Sequence, residues 1–322
     1  QTWPLGDRAI LNLGLGGTGS QAAVTCVGRD GAGAILALDL GTGGSRILAS
    51  GLPVGPEVVH RGAFDASLRF AAAWSSQVPG VGIYDLSSGA LLRTLAMPEN
   101  QGQDALAVDA SGKRLACALQ GPGGSVLSIW DAERGEEVAR CPGHEGPVIA
   151  LAFSPDGGRI VSGSRDGTLR EWTLNGQGRI LARNLKADPI AFSPDGKWLT
   201  AGNGGNLDGV VSAMDDVVHL WNASTGEPVQ GLPGNLNGVN RLAWSGDSRL
   251  LAVACNDHVV RLWDVSKRRQ LGTLPAVQKE GAGPTALAFL PGDRKLLCGS
   301  PDGAVRLWDV GPLLDAAPHS RR

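Results

Sequence analysis

Several ingredients are scarce in this 322-residue chain. No apolar run approaches the roughly 20 residues a helix needs to cross a bilayer. Charged residues are 19% of the total and the formal net charge is -2. That balance gives no overall attraction to nucleic acid or anionic lipid. The five cysteines (Cys26, Cys117, Cys141, Cys255 and Cys298) are odd in number and contain no C-x-x-C pair, which argues against a disulfide scaffold or a zinc site. No starting Met is present, and no basic segment followed by an apolar stretch follows Gln1. The expectation is a processed protein, or a module of a longer one.

What the chain does have is glycine, 48 residues of it, and a recurring phrase. The strings are "VLSIWDAERG" at Trp130, "GTLREWTLNG" at Trp172, "VVHLWNASTG" at Trp221, "VVRLWDVSKR" at Trp263 and "AVRLWDVGPL" at Trp308. Weaker echoes sit at Tyr84 ("VGIYDLSSG") and Leu38 ("AILALDLGTG"). A period of roughly forty-five residues marks a repeat architecture.

One unit, Gly143 to Gly176, shows the local structure. "VIALAF" reads as a strand, "SPDG" as a turn in which Pro155 fixes φ and Gly157 permits positive φ, and "RIVSGS" as a second strand. "RDG" is an Asp-Gly hairpin, "TLREWTL" a third strand, and "GRILAR" a fourth. Helical periodicity is absent from this unit. The unit is a four-stranded antiparallel meander that cannot bury both faces alone, whereas seven stacked radially can.

These residues resemble the WD-repeat (WD40) β-propeller family over nearly the whole chain. The resemblance implies an all-β, seven-bladed propeller over 1–310 and a tail or linker over 311–322. It also implies a buried hydrogen-bonded chain of His144, Ser162, Asp166 and Trp172. Other repeats are eroded: the sixth keeps Asp257 and Trp263 but has Asn235 and Val253 at the other two positions. The seventh keeps Asp302 and Trp308 but has Glu280 and Cys298. The start of the chain resembles a strand leading into a repeat, so Thr2 to Leu5 is expected to complete the last blade and close the ring.

Three features invite other readings. "GLGGTG", Gly14 to Gly19, fits a dinucleotide fingerprint with Asp39 downstream, but the β-branched stretch after it is strand rather than helix. Arg170, Arg261 and Arg306 recur two residues before the anchor and are expected to neutralise acids such as Asp264 and Asp309. The Asn203–Asp216 insertion in the fifth repeat, with Asp208, Asp215 and Asp216, is a candidate contact loop or a tolerated surface excursion.

Propellers of this family use their narrower face for partners. The resemblance therefore nominates Glu145, Arg165, Lys186, Asn237, Asn256, Pro301 and Asp208 as contacts. The reading is a non-enzymatic scaffold for a protein or peptide partner, with no cofactor, metal, nucleic acid or membrane. It is expected to be a monomeric propeller within a longer regulatory chain, cytoplasmic, and bacterial by its Ala, Gly, Leu and Arg bias. The alternative is a propeller-fold enzyme (lactonase- or hydrolase-like) or a small-ligand sensor using the central channel.

Overall fold

Short strands separated by Asp-Gly and Ser-Pro-Asp-Gly turns leave the chain little choice but to meander. The computed structural model shows seven four-stranded antiparallel sheets. It describes residues 1–15, 19–28, 33–52, 62–65, 67–74, 80–97, 103–121, 123–203, 217–235, 238–275 and 283–316. The fourth blade comprises Val148–Phe153, Arg159–Ser164, Leu169–Thr173 and Gly178–Ala182, in that hydrogen-bonded order. Where the fingerprint reading would need a helix, residues Gln21–Gly28 form a strand of the first blade.

The ring is closed by a strand exchange between the two ends of the propeller. Thr2–Pro4 pairs antiparallel with the third strand of the seventh blade, Thr2 opposite Arg306 and Pro4 opposite Ala304. The outer edge of that blade is therefore supplied from the other end of the chain. An unpaired edge there would be a template for aggregation.

The core lies between blades rather than within them. Among the described residues seven apolar clusters form, each made of residues from two adjacent blades. The seam between the third and fourth blades, for example, joins Leu127, Ile129 and Cys141 to Val148, Ile160 and Trp172. Each sheet is thus covered on both faces by its neighbours, which is why the blades need the ring. All five cysteines are buried, and none of them is in a disulfide. Burial pushes the Cys117 and Cys298 thiols up to about 12, so both are inert as nucleophiles.

The acids that follow the anchor residues tie down the turns. Asp85 Oδ1 accepts the backbone N–H groups of Ser87 (3.0 Å) and Ser88 (2.7 Å), and Asp131 Oδ1 those of Glu133 (3.0 Å) and Arg134 (2.8 Å). Asn222 does the same with Ser224 and Thr225. This corrects the expected pairing of the recurring arginines. Asp264 accepts from Ser266 and Lys267, and Asp309 from the Gly311 N–H. Arg261 and Arg306 instead form two-pronged pairs with Asp257 and Asp302, four residues earlier on the same hairpin. Arg170 has no such pair: it reaches Thr168 and lies over the Trp172 ring. The reason is hairpin geometry, which folds the third strand back beside the turn carboxylate.

The outer strands are stitched by arginines donating to turn carbonyls of the next blade. Arg46 reaches Ser87 O (2.9 Å), Arg93 reaches Arg134 O (3.0 Å) and Arg179 reaches Thr225 O (3.3 Å). The tail also differs from expectation. Gly311–Asp315 is a helical turn rather than a free end. Leu313 and Leu314 pack on the seam between the sixth and seventh blades, and Arg294 pairs with Asp315. Apolar side chains in "PLL" hold it there. Residues 317–322 lie outside the described residues.

Candidate functional site

In a four-stranded meander, the loop that enters a blade and the turn between its second and third strands emerge at the same end. This end carries most of the nominated residues. It is braced in the fourth blade by a buried polar chain. Ser162 Oγ accepts the Trp172 indole N–H at 2.7 Å and lies 2.7 Å from His144 Nε2. His144 Nδ1 lies 2.8 Å from Asp166 Oδ2. The consistent proton assignment is a neutral imidazole that donates from Nδ1 and accepts the serine hydroxyl at Nε2.

Electrostatics agree with that assignment. Burial lowers the His144 pKa, against the opposing pull of the Asp166 carboxylate. Burial works to raise Asp166, but donation from Thr168, His144 and backbone N–H groups outweighs it and brings the carboxyl to about 2. A carboxylate, an imidazole, a hydroxyl and an indole N–H are therefore all satisfied in one unit. Elsewhere the chain is broken. Trp130, Trp263 and Trp308 each bury an indole N–H that has no partner among the described residues. The residue matching Ser162 in those blades is Cys117, Val253 or Cys298.

Hydrogen bonds around this chain place the nominated residues. The Glu145 N–H donates to Asp166 Oδ2 (3.0 Å), and the Arg165 N–H to Pro147 O (2.8 Å). The Leu185 N–H donates to Gly167 O (3.0 Å), which fixes the loop bearing Lys186 against the hairpin of the preceding blade. Glu145, Arg165 and Lys186 are thereby gathered around one hairpin, with Glu145 and Arg165 exposed and Lys186 half-buried. Asn256 sits on the equivalent hairpin of the sixth blade, its N–H donating to Gly238 O (3.2 Å), and Pro301 on that of the seventh. Asn237, Asp208 and the rest of the insertion from 204 to 216 lie outside the described residues.

Two features were not found from the sequence. First, the outer strands of the first three blades expose Ile47, Leu91, Leu92 and Val138, apolar side chains at the rim. Second, a cavity of about 470 Å³ runs along the axis, lined by the first strands of blades one to six. Two ionisable side chains, Asp188 and Arg241, enter it from the fifth and sixth blades. Asp65, the other ionisable residue among the described lining residues, is committed to its own turn through the Phe70 N–H (2.7 Å). The signal was present in "ADPIAF", where an acid occupies a position that is Ile149 in the neighbouring repeat. Among the described residues no group of three or more His, Cys, Asp or Glu is placed to hold a metal ion.

Comparison with known proteins agrees with this architecture. The family model described as "WD domain, G-beta repeat" matches residues 135–173, 226–264 and 270–309. By fold the chain is a seven-bladed β-propeller, and three of its stretches match the WD-repeat model. A periodic tryptophan protein 2 homolog of Neurospora crassa is 34% identical over 50% of this chain and 17% of its own length. The small ribosomal subunit protein RACK1 of Schizosaccharomyces pombe is 32% identical over 39% of this chain and 40% of its own. A ribosome biogenesis protein WDR12 homolog of Chlamydomonas reinhardtii is 26% identical over 81% and 62%. The chain thus spans less than two thirds of the length of each of these relatives.

These similarities are consistent with a protein-interaction scaffold. They also correct the expected bacterial source, because the relatives found are fungal, plant, algal and insect proteins. The Ala and Gly richness behind that expectation follows from the fold, since small residues fill the seams and glycines make the turns. No helix among the described residues is long and apolar enough to cross a membrane.

Proposed function

We propose that this chain is a non-enzymatic scaffold that presents the loop-bearing end of its ring to a protein or peptide partner. The observation that carries this reading is the gathering of Glu145, Arg165 and Lys186 around one braced hairpin, extended by Asn256 and Pro301 on neighbouring blades. Loops tethered this way lose little entropy on binding, so rigidity contributes directly to affinity. Mixed charge on these loops suits a polar peptide surface better than a phosphate backbone. The propeller acts as a monomeric module of a longer regulatory protein. The ribosomal and ribosome-biogenesis names of its relatives support a ribosomal or pre-ribosomal partner. Five buried cysteines outside any disulfide support a reducing compartment, cytoplasm or nucleus.

The test is affinity capture from native lysate with the parent and with a variant carrying Arg165→Glu, Lys186→Glu and Asn256→Asp. A protein retained by the parent and lost by an equally stable variant is the expected result. Equal retention by both would refute the assignment to this face.

A further inference from the structure

Of the arginines that recur two residues before the anchor tryptophan, Arg170 lacks the partner that the other two have. Arg261 and Arg306 each present both Nη atoms to the carboxylate of their own hairpin, Asp257 and Asp302. In the fourth blade the matching carboxylate, Asp166, is already committed. It accepts from Thr168 and from the Glu145 N–H, and it lies 2.8 Å from His144 Nδ1. Arg170 therefore stops one hydroxyl short of it. Its Nε donates to Thr168 Oγ1 at 3.2 Å, and Thr168 Oγ1 donates to Asp166 Oδ1 at 2.6 Å. Neither Nη atom of Arg170 has an acceptor among the described residues.

The guanidinium is nonetheless held in place and reachable. It lies over the Trp172 ring, 6.0 Å from the centroid, and Ser162 fixes that ring through the indole N–H. Gly143, on the facing outer strand of the third blade, keeps the approach clear. A Cβ at that position would stand 2.7 Å from Arg170 Nη1, and its φ of +140° suits glycine. Gly143 and Pro142 are exposed and Arg170 is half-buried, so the slot between the two blades meets solvent here. The surroundings are mostly of one sign. Arg183, exposed, and Lys186, half-buried, flank Leu185, whose N–H is tied to Gly167 O of the same hairpin. Neither side chain forms an ion pair or hydrogen bond with a described residue. Glu145 is the exposed acid beside these cations, in a chain whose formal net charge is -2.

We propose that the partner of this end is an acidic peptide segment, and that one of its Asp or Glu side chains seats on Arg170. The carboxylate takes both Nη atoms, as Asp257 and Asp302 do in their own blades, so the partner supplies what the fourth blade lacks. Arg183 and Lys186 attract the neighbouring acids of the segment. This names the partner's chemistry for the scaffold reading and rests on that reading.

The test pans short random peptides displayed on phage against the purified chain, and compares the Asp and Glu content of the retained pool with that of the unselected library. The most enriched sequence is synthesised with an amidated C-terminus, so that its carboxylates are side chains, and is titrated by fluorescence anisotropy. The retained pool should be rich in acids. Exchanging the peptide's acids one at a time for amides should find one whose loss weakens binding about tenfold. Arg170→Gln should weaken the parent peptide by a similar factor and the amide peptide no further. Arg170→Lys, which keeps the charge and loses the fork, should fall between, and it carries the comparison if Arg170→Gln melts below the parent. Arg46→Gln, on the outer strand of the first blade, should bind as the parent does. A retained pool without an acid excess, or a peptide bound equally by the parent and both Arg170 variants, overturns the proposal and leaves a peptide-binding scaffold standing. If no peptide is retained, the scaffold reading falls and this proposal falls with it.

Discussion

The intact polar chain of the fourth blade and its eroded counterpart in the sixth allow a natural transplant. The fourth blade has His144 and Ser162, and the sixth has Asn235 and Val253 at the matching positions. Asn235 is buried and donates its amide to Leu232 O at 2.7 Å, so it has found a local partner without a serine. Ser162→Val in the fourth blade would strand two buried atoms, the Trp172 indole N–H and His144 Nε2, each now within 2.7 Å of Ser162 Oγ. An orphaned buried polar group costs about 1–3 kcal/mol, offset in part by the added methyl burial, for a net loss of about 2–4 kcal/mol. His144→Asn alone removes the imidazole from both Ser162 and Asp166. In the double variant, one orphan, the Trp172 N–H, remains, as with Trp263 in the sixth blade. The double variant should therefore lose about 1–2 kcal/mol less than the sum of the single losses. Urea unfolding followed by tryptophan fluorescence measures all four corners of the cycle. Additivity within about 0.5 kcal/mol would show that the chain does not act as a unit.

Other perturbations probe different parts of the ring. Because burial holds the folded-state pKa of His144 below its ordinary 6.5, its stabilising contribution is present in full above that value. It is lost as pH falls through the folded value, so the urea midpoint should drop between pH 7.5 and 5.5 more in the parent than in His144→Asn. Asp188 has the opposite sign: its raised pKa makes folding less favourable as pH climbs from 3.8 to about 6. Asp188→Asn should therefore stabilise the unliganded protein at pH 8 by up to about 3 kcal/mol, at about 1.4 kcal/mol per pH unit, and the gain should vanish near pH 4. A melting temperature at pH 8 unchanged from the parent would show that burial does not penalise this carboxylate. Deleting residues 1–5 should leave the seventh blade with an open edge and produce aggregates in size-exclusion chromatography. A monodisperse product would count against closure by Thr2–Pro4.

Much of the fold could be read locally because turn chemistry is local. "VIALAF" and "RIVSGS" coincide with the strands Val148–Phe153 and Arg159–Ser164, since Gly157 and the Asp166-Gly167 hairpin fix their limits. The closing strand was legible from its likeness to later repeats. Side-chain partners were not. Arg261 and Arg306 were assigned to the acids after the anchor, but the strand reversal places them against Asp257 and Asp302. The channel pair was invisible for a different reason. Asp188 and Arg241 belong to different repeats, and only radial stacking brings their strands to a common axis. The rim aliphatics escaped because strand alternation does not show which outer edge remains uncovered.

The exchange that completes the seventh blade also sets the order in which the molecule can be finished during synthesis. Thr2 and its partner Arg306 are separated by almost the entire chain. At about 5–20 residues per second, translation needs roughly 15–60 s to make the partner after the first strand has emerged. Through that interval six blades can stack in sequence while Thr2–Pro4 waits without its mate. Any chain released before residue 306 is denied the final step, whatever the quality of its earlier blades. Completion of the ring therefore waits on synthesis as far as residue 306, and a product cut short of that point is marked by the edge it leaves open.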